Sequence, residues 1–473
     1  RALGTADPQL RQAAMIGLLR SGSLEGILAV GETLTKLIDS AADTDRIFAA
    51  QVLGESRLAG LHRPLRKLLH DAEPKVQQAA LSAVAKIQHP QLWPLVVAAL
   101  AEPQIRAVAQ TALIAGGAAA LPALQQAVTQ AGPVTAQNRD WWSALAYICG
   151  RIGSPQSSAL LLPHLSCPDL VVRTQILAAL HQCGYQADAA TRPLVDAEVQ
   201  AELGQAIGTL THLVSLGEPV QEALLRLRTA LRAELEQQQM RLLLWLALRY
   251  DPAILQRVRA ALALAPGLRR TPTEEQRAYA LETLDLLLPK ALSKPLLLLL
   301  DDLPPAQQLR QLAGDAPRAG MSLPSQLAAI IAGDARWVAP WLKAIALYTV
   351  TELPDAMQAA PPLQAVPPLQ AAVALAAAST DPLVQETAAW VMAGRNRADR
   401  GALLTIEKVL ILQQVELFAA LPTTLLVALA ARLQERFEGA ATVIFEKGAP
   451  GDSLYLVVTG EVEALDGERV FTR

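Results

Sequence analysis

The sequence predicts a mainly α-helical protein, an α-solenoid in which pairs of helices pack side by side along the chain. Apolar residues recur at three- and four-residue steps over most of the 473 residues, as expected for one buried face of a helix. Similar segments return at a step of roughly 30 to 38 residues, which is typical of helical repeats. Hydrophobic residues make up 52% of the chain and aromatic residues only 4%, so Ala and Leu, both strong helix formers, dominate the apolar content.

The segment 71–100 shows this pattern most clearly and predicts two short helices folded back on each other. The first helix follows Pro74, which is tolerated in a first turn because its missing N–H would have no partner there. Apolar side chains between residues 76 and 87 then recur at helical spacing, and polar ones fill the opposite face. Pro90 ends this helix because the residue before a proline avoids the helical conformation. Neither helix could bury its apolar face without a neighbour.

Segments with the same opening pattern recur before and after this one. They begin at Asp7, Asp45, Pro103, Pro168, Arg277 and Asp381. The pattern resembles the HEAT-repeat family, in the short variety that is also found in bilin lyases. This resemblance covers most of the chain and implies a stack of helix pairs that presents an extended surface to other proteins.

We expect the repeats to form a regular array over residues 1–199 and a less regular one over 200–394. Within the second array, the prolines of segment 353–368 are expected to prevent a regular helix. A charged joint bounded by glycines, 395–402, should separate the repeats from a C-terminal domain, 403–473.

Two local features inside the second array also lead to expectations. Trp337 and Trp341 are four residues apart, so they should share one helix face and pack together. A cluster of arginines lies among glutamates at helical spacing, and we expect a solvated face whose charges pair with one another, with an anion site as the alternative. The residues are Arg226, Arg228 and Arg232 with Glu222, Glu234 and Glu236.

The periodicity changes in the C-terminal domain. Residues 404–433 are still helical in pattern, but 442–445, 453–458 and 461–464 are short runs of β-branched and aromatic residues that predict strands. Gly-rich turn segments divide these runs. Helices followed by tightly turned strands predict the beginning of a small antiparallel β-barrel.

This tail resembles the N-terminal part of the cyclic nucleotide-binding domain. The residues that carry the resemblance form a barrel-scaffold signature: Gly439, Gly448, Gly451, Asp452, Tyr455 and Gly460. The resemblance implies cAMP or cGMP as a ligand of the complete domain. Family members hold the nucleotide with a later phosphate-binding cassette, which we expect beyond Arg473, so we assign no cofactor-binding residue and no cofactor to this chain.

The order of the parts is similar to that of a bacterial group whose members often carry a membrane half ahead of the repeats. That half resembles the ATP/ADP translocases or the major facilitator transporters. Because the chain does not begin with Met and a repeat starts at Asp7, we expect it to be part of a longer protein. We therefore expect a cytoplasmic location, at the cytosolic face of the inner membrane if such a half precedes it, and membrane contact only through that half.

Little in the sequence points to chemistry. The net charge of −3 offers no field that favours nucleic acid. The histidines and three cysteines lack metal-ligand or CxxC spacing, so we expect no metal site and buried thiols. We therefore expect no catalytic residue and a non-catalytic scaffold, whose repeat surface binds protein partners and is coupled to a cyclic nucleotide-sensing domain. Two alternatives stay open: the cytosolic regulatory arm of a membrane nucleotide or solute transporter, and an enzyme similar to the HEAT-type bilin lyases.

Overall fold

A computed structural model of the chain describes residues 7–21, 23–262, 273–313, 321–352, 367–394, 401–419, 421–449, 451, 453–466 and 469–472. The described part is mainly helical, as the sequence predicts. The chain divides into two compact units. Unit 1 comprises Arg1–Gly217, Leu231–Gly320 and Asp334–Ala339, and unit 2 comprises Glu218–Ala230, Met321–Gly333 and Pro340–Arg473.

Unit 1 begins with a series of stacked helix pairs. Its helices are α1 (Pro8–Ser21), α2 (Leu24–Ile38), α3 (Asp43–Ser56), α4 (His62–Leu68), α5 (Pro74–Ile87), α6 (Trp93–Ala98), α7 (Arg106–Gly116), α8 (Leu121–Ala131), α9 (Arg139–Ile152), α10 (Pro155–Leu161) and α11 (Leu170–Gln182). The odd-numbered helices form one row in which each packs on the next, and the even-numbered ones form a looser second row. This arrangement is the predicted α-solenoid.

Helix α5 illustrates why these sequences form such pairs. It starts at Pro74, and Gln88, in the left-handed conformation with φ 53°, ends it. Its apolar face is buried, as the spacing predicts. Helix α3 approaches it closely at Gly54, where a Cβ atom would lie 2.8 Å from the Cα of Ala83. The absence of a side chain at this position therefore permits the close packing of α3 on α5.

The remaining helices of unit 1 are longer and less regular. They are α12 (Arg192–Leu216), α13 (Glu222–Arg249), α14 (Pro252–Ala261), α15 (Glu274–Leu287), α16 (Lys290–Leu300) and α17 (Pro305–Ala313), and residues 222–230 of α13 belong to unit 2. Residue 199, where we expect the less regular repeats to begin, lies within α12. The connection between α11 and α12 binds the end of α13, since the N–H of Ala187 donates to the carbonyl of Leu248 at 2.7 Å.

Unit 2 contains further helix pairs and the C-terminal segment. Its elements are α18 (Leu323–Ala332), α19 (Pro340–Glu352), α20 (Pro367–Ala377), α21 (Pro382–Ala393), α22 (Thr405–Gln414), α23 (Glu416–Ala419), α24 (Thr423–Ala430), β1 (Ala464–Asp466) and β2 (Arg469–Thr472). Helix α18 packs on α20 and α19 on α21, so the pairwise stacking returns. Pro367 and Pro368 open α20 rather than prevent it, because proline is tolerated in a first turn. Residues 353–366 and 395–400 lie outside the described residues.

The expectation that Trp337 and Trp341 share one helix face is wrong. Helix α19 begins only at Pro340, because the residue before a proline is disfavoured in the helical conformation. Trp337 precedes the helix, and the guanidinium of Arg173 lies 4.3 Å from its ring centroid. Trp341 packs instead against the helices that follow residue 404.

The predicted strands 442–445 and 453–458 are also wrong, the strand predicted at 461–464 begins only at Ala464, and no barrel is present among the described residues. The sheet that the structure describes is the antiparallel pair β1–β2, while Thr442 and Ala449 donate only to local turn carbonyls. A strand needs a partner for its N–H and C=O groups, and two strands alone are marginally stable. The described residues supply no such partner, and Phe445 and Leu454 stay 69% and 63% exposed.

Candidate functional site

The first turn of α22 joins three elements of unit 2 through consecutive backbone N–H groups. The N–H of Leu403 donates to both carboxylate oxygens of Glu435, at 3.0 and 3.1 Å. The N–H of Leu404 donates to Glu407 at 2.8 Å. The N–H of Thr405 donates to Glu386 of α21 at 3.1 Å. We call this set of contacts the α22 junction.

The electrostatics of the α22 junction follow from the helix that it caps. The first N–H groups of a helix have no partner within the helix and carry a partial positive charge, so carboxylates are stabilised there. Lys408 adds a cation, with Nζ 3.1 Å from Glu435. The hydroxyl of Tyr348, on α19, donates to the buried Glu407 at 3.0 Å. The junction therefore binds α22 to α19, to α21 and to the chain that follows α24.

A small apolar core reinforces the α22 junction. Val409, Leu412 and Phe418 are buried together with side chains of α24. Trp341 of α19 and Leu456 of the C-terminal segment both pack against this core. A displacement of the segment around Leu456 would therefore disturb the same helices that hold α21.

The barrel-scaffold signature is only partly brought together. Gly448 and Gly460 adopt φ of 88° and 91°, a region that favours glycine, so both are turn positions as predicted. Tyr455 is stacked near Phe445, with ring centroids 6.0 Å apart, and its hydroxyl lies 3.5 Å from Arg436. Gly439 and Gly451 are exposed. Asp452 lies outside the described residues, and the role of the signature stays a prediction.

The predicted pairing of the arginine cluster is confirmed for Arg226 with Glu222, whereas Arg228 is buried and its partner, Glu218, lies outside the predicted set. Arg226 contacts Glu222 at 2.5 Å and also binds Glu352, and Arg228 binds Glu218. Arg232 is exposed. The expectation for Glu234 is wrong, because Glu234 is buried and binds Arg241. The helical spacing places Glu234 on the inner face of α13 rather than with the exposed charges.

Ion pairs that the sequence did not predict connect successive odd-numbered helices of unit 1. An arginine at the start of one helix reaches an aspartate at the start of the next: Arg46 to Asp71 at 2.8 Å, Arg106 to Asp140 at 2.8 Å and Arg139 to Asp169 at 2.6 Å. We call these contacts the edge ion pairs. The recurrence of Arg and Asp at the repeat openings is the signal that could have revealed them.

A second group of charges gathers near the buried Arg173 of α11. Its Nη1 lies 3.8 Å from the carboxylate of Glu198 on α12, and Glu198 also binds Arg336. The guanidinium of Arg336 lies 5.1 Å from the ring centroid of Trp337. Burial lowers the pKa of Arg173, while the neighbouring glutamates oppose that effect. These contacts fix the segment 334–339 on α11 and α12 within unit 1.

The thiols and histidines form no reactive cluster in the described part of the chain. Burial raises the pKa of Cys149 to about 12 and that of Cys167 to about 11, so neither forms a thiolate readily at neutral pH. His62 and His89 stack with ring centroids 3.9 Å apart. Among the described residues, no group of three or more His, Cys, Asp or Glu side chains is arranged to hold a metal ion.

No single helix in the described ranges is both long and apolar enough to cross a bilayer. One strongly bent pair, Arg106–Ala119 with Leu121–Ala131, passes on length and composition alone.

Several of the first helices match a known protein family. Residues 31–117 match the family model for HEAT repeats, a range that runs from within α2 to the end of α7. No curated protein matches the chain. Helical repeats of this kind offer extended surfaces to protein partners. The match over residues 31–117 and the stacked helix pairs support a HEAT-repeat solenoid, a fold that commonly mediates protein–protein interactions.

Proposed function

We propose that this protein is a non-catalytic scaffold in which a HEAT-repeat surface binds protein partners under the control of a cyclic nucleotide-sensing domain. The observation that carries the proposal is the α22 junction, where three successive N–H groups bind carboxylates from α21, from α22 and from Glu435. A change in the C-terminal segment would act on α21 through this junction. The barrel-scaffold signature supports cAMP or cGMP as the signal, with the nucleotide held by the complete domain.

We place the partner on the part of the even-numbered row of unit 1 that is formed by α6, α8 and α10. Residues 90–101, 117–138 and 152–163 contain no Asp, Glu, Lys or Arg, whereas the edge ion pairs lie at the openings of the odd-numbered helices. Pro94, Gln125 and Gln126 are exposed on this row. An uncharged surface favours a partner that binds through shape and apolar contact.

Cross-linking of the full-length protein in cells tests the scaffold part of the proposal. Gln126→Lys places a charge on the even-numbered row, and Gln51→Lys, at an exposed position of α3, is the matched control. We expect Gln126→Lys to reduce the cross-links to partner proteins and Gln51→Lys to leave them unchanged. Equal effects of both variants, or no partner cross-links in the wild type, would contradict the scaffold function.

Titration of the full-length protein with fluorescent cAMP and cGMP tests the sensing part. We expect saturable binding of one of them and a changed rate of hydrogen exchange at the amides of residues 403–405. Glu435→Ala should bind nucleotide as the wild type does but lose the change at those amides. If neither nucleotide binds, the sensing function is wrong even where the scaffold function holds.

A second candidate is the cytosolic regulatory arm of a membrane nucleotide or solute transporter. It is favoured by the order of parts, repeats first and then α22 and the C-terminal segment, which is similar to that of the bacterial group described above. The full-length gene tests it, since a membrane half requires several apolar segments of about 20 residues each upstream of Arg1. A gene without such segments rules this candidate out.

A further inference from the structure

A buried group of charges between α12 and α13 has one cation for two carboxylates. Nη2 of Arg241 lies 2.8 Å from Glu202 Oε1 and 3.0 Å from Glu234 Oε1. All three side chains are at most 5% exposed. We call Glu202, Glu234 and Arg241 the buried triad, and all of it belongs to unit 1.

The two carboxylates of the buried triad are not equivalent. Glu202 also accepts from Nε of Arg241 at 2.9 Å, and it interacts favourably with the buried Arg173. Among the described residues, Glu234 accepts from Nη2 of Arg241. Arg241 therefore compensates a negative charge on Glu234 less well than one on Glu202. Burial raises the pKa of Glu234, and the contact with Arg241 offsets only part of that effect.

Two buried acceptors, one on α12 and one on α13, have no hydrogen-bond donor within the described part of the chain. Oε2 of Glu202 and Oε1 of Gln238 are buried, and neither accepts a hydrogen bond. Gln238 is four residues after Glu234 on α13, so the two side chains are neighbours on one helix face. Unsatisfied buried acceptors are costly, and a proton on Glu234 would supply a donor to this face.

The other charges near the buried triad do not remove this imbalance. Arg173 of α11 and Arg336 of the 334–339 segment both contact Glu198. Helices α16 and α17 pack on α12, but their charged residues Lys290, Lys294 and Arg310 are exposed. Arg241 therefore remains the cation within hydrogen-bond distance of Glu234 among the described residues.

We propose that the buried triad is a proton-binding site in which Glu234 is a neutral carboxylic acid at neutral pH and donates its proton to the side-chain oxygen of Gln238. The proton comes from solvent when the protein folds, and Arg241 keeps both of its contacts with Glu202. This site is independent of nucleotide sensing and of the partner surface.

Proton binding makes the stability of the α12–α13 region depend on pH with a defined sign. Above the ordinary pKa of a glutamate, the folded region holds one more proton than the unfolded chain. The opening equilibrium constant therefore rises with pH, by up to about tenfold per pH unit, until the folded carboxyl loses its proton. The contribution of Glu234 should consequently stabilise this region on acidification toward pH 5.

Native-state hydrogen exchange in the full chain tests the site through Glu234→Gln, which keeps a donor and removes the titration. Burial also lowers the pKa of His212 on α12, which adds the same opposing pH dependence to both proteins, so we expect the opening equilibrium constant of α12 and α13 amides in the wild type to rise with pH relative to that in Glu234→Gln. The matched control is Glu236→Gln, at an exposed position of the same helix, which should follow the wild type. A wild-type opening constant that does not rise with pH relative to that of Glu234→Gln, or a Glu234→Gln variant that opens more readily at every pH, would overturn the proposal.

Infrared spectroscopy gives a second test that does not depend on stability. The wild type at pH 7 should show the C=O stretch of a protonated carboxyl, and the band should disappear in Glu234→Gln and persist in Glu236→Gln. A wild-type spectrum without a protonated carboxyl at this pH would show that Glu234 is ionised and that the site does not exist.

Discussion

The helix pairs from α3 to α11 pack in a different way from the long helices α12 and α13. In the pairs, backbones approach closely at small residues, as at Gly54 against Ala83, and charges lie at the edges. Across α12 and α13, the contacts include the buried triad, and Gly204 on α12 faces open space. Small-residue packing needs only a local pattern, whereas a buried charge needs a partner from a distant part of the chain.

The largest effect should come from removing the cation of the buried triad. Arg241→Met leaves the buried carboxylate of Glu202 without its cation, and we expect a loss of about 3–5 kcal/mol in the free energy of unfolding of this region. Hydrogen exchange of α12 and α13 amides measures it. The triple variant with Glu202→Gln and Glu234→Gln should recover most of the loss, and a triple variant as unstable as Arg241→Met would show that packing, not charge, is responsible.

The next largest effect should come from the same substitution, glycine to alanine, made once in each region. Gly54→Ala forces a Cβ atom against the backbone of α5 and should cost about 1–3 kcal/mol. Gly204→Ala meets no neighbouring atom and should stabilise the protein by up to about 1 kcal/mol through helix propensity. Thermal unfolding of both variants measures the difference. Stabilisation by Gly54→Ala would mean that α3 and α5 are not in close contact.

The pH dependence of the two regions should have opposite signs. At Asp71, burial acts to raise the pKa, but the hydrogen bonds from Arg46 and from the N–H of Glu73 outweigh it and lower the pKa. Its contribution is therefore present above the ordinary pKa of an aspartate and is lost as the pH falls. Asp71→Asn should flatten the acid dependence of α3 and α5 amide exchange, with a smaller effect than Gly54→Ala. An unchanged acid dependence would contradict the role of this pair.

The smallest effect is expected for the exposed ion pair of Lys86 with Glu55, which lies 2.6 Å apart at the other end of α3 and α5. Both side chains are more than 40% exposed. Lys86→Gln should therefore change the free energy of unfolding by less than about 1 kcal/mol, because solvent and salt screen such pairs. Urea titration at low and high salt measures it, and a larger, salt-independent loss would show that the pair is shielded.

The regions also differ in how far their structure could be predicted from the sequence. Helix α5 follows from residues 74–87 alone, because its proline start and apolar face are local. The buried triad could not be predicted, because Glu202 and Arg241 come from different helices and charged residues are usually exposed. At Trp337 the two local signals disagree. The four-residue spacing predicts one helix face with Trp341, but Pro340 sets the start of α19, so Trp337 precedes the helix.

The C-terminal segment was the least predictable part. Its β-branched runs match strands in composition, but a strand forms only where another chain segment satisfies its backbone. The α22 junction shows the same limit, since Glu386 and Glu435 reach it from positions far along the chain. The turn positions Gly448 and Gly460 could be predicted, because glycine at a tight turn is a local requirement.

A double-mutant cycle at the α22 junction tests the central claim, that this junction connects the C-terminal segment to the helix pairs. Glu386→Ala and Glu435→Ala are made singly and together, with Glu416→Ala at an exposed position of α23 as the control. Hydrogen exchange of the amides of residues 403–405 and of α21 is the readout. We predict that the two junction substitutions are non-additive by at least about 0.5 kcal/mol, while Glu416→Ala adds independently. Strict additivity of Glu386→Ala and Glu435→Ala would contradict the claim.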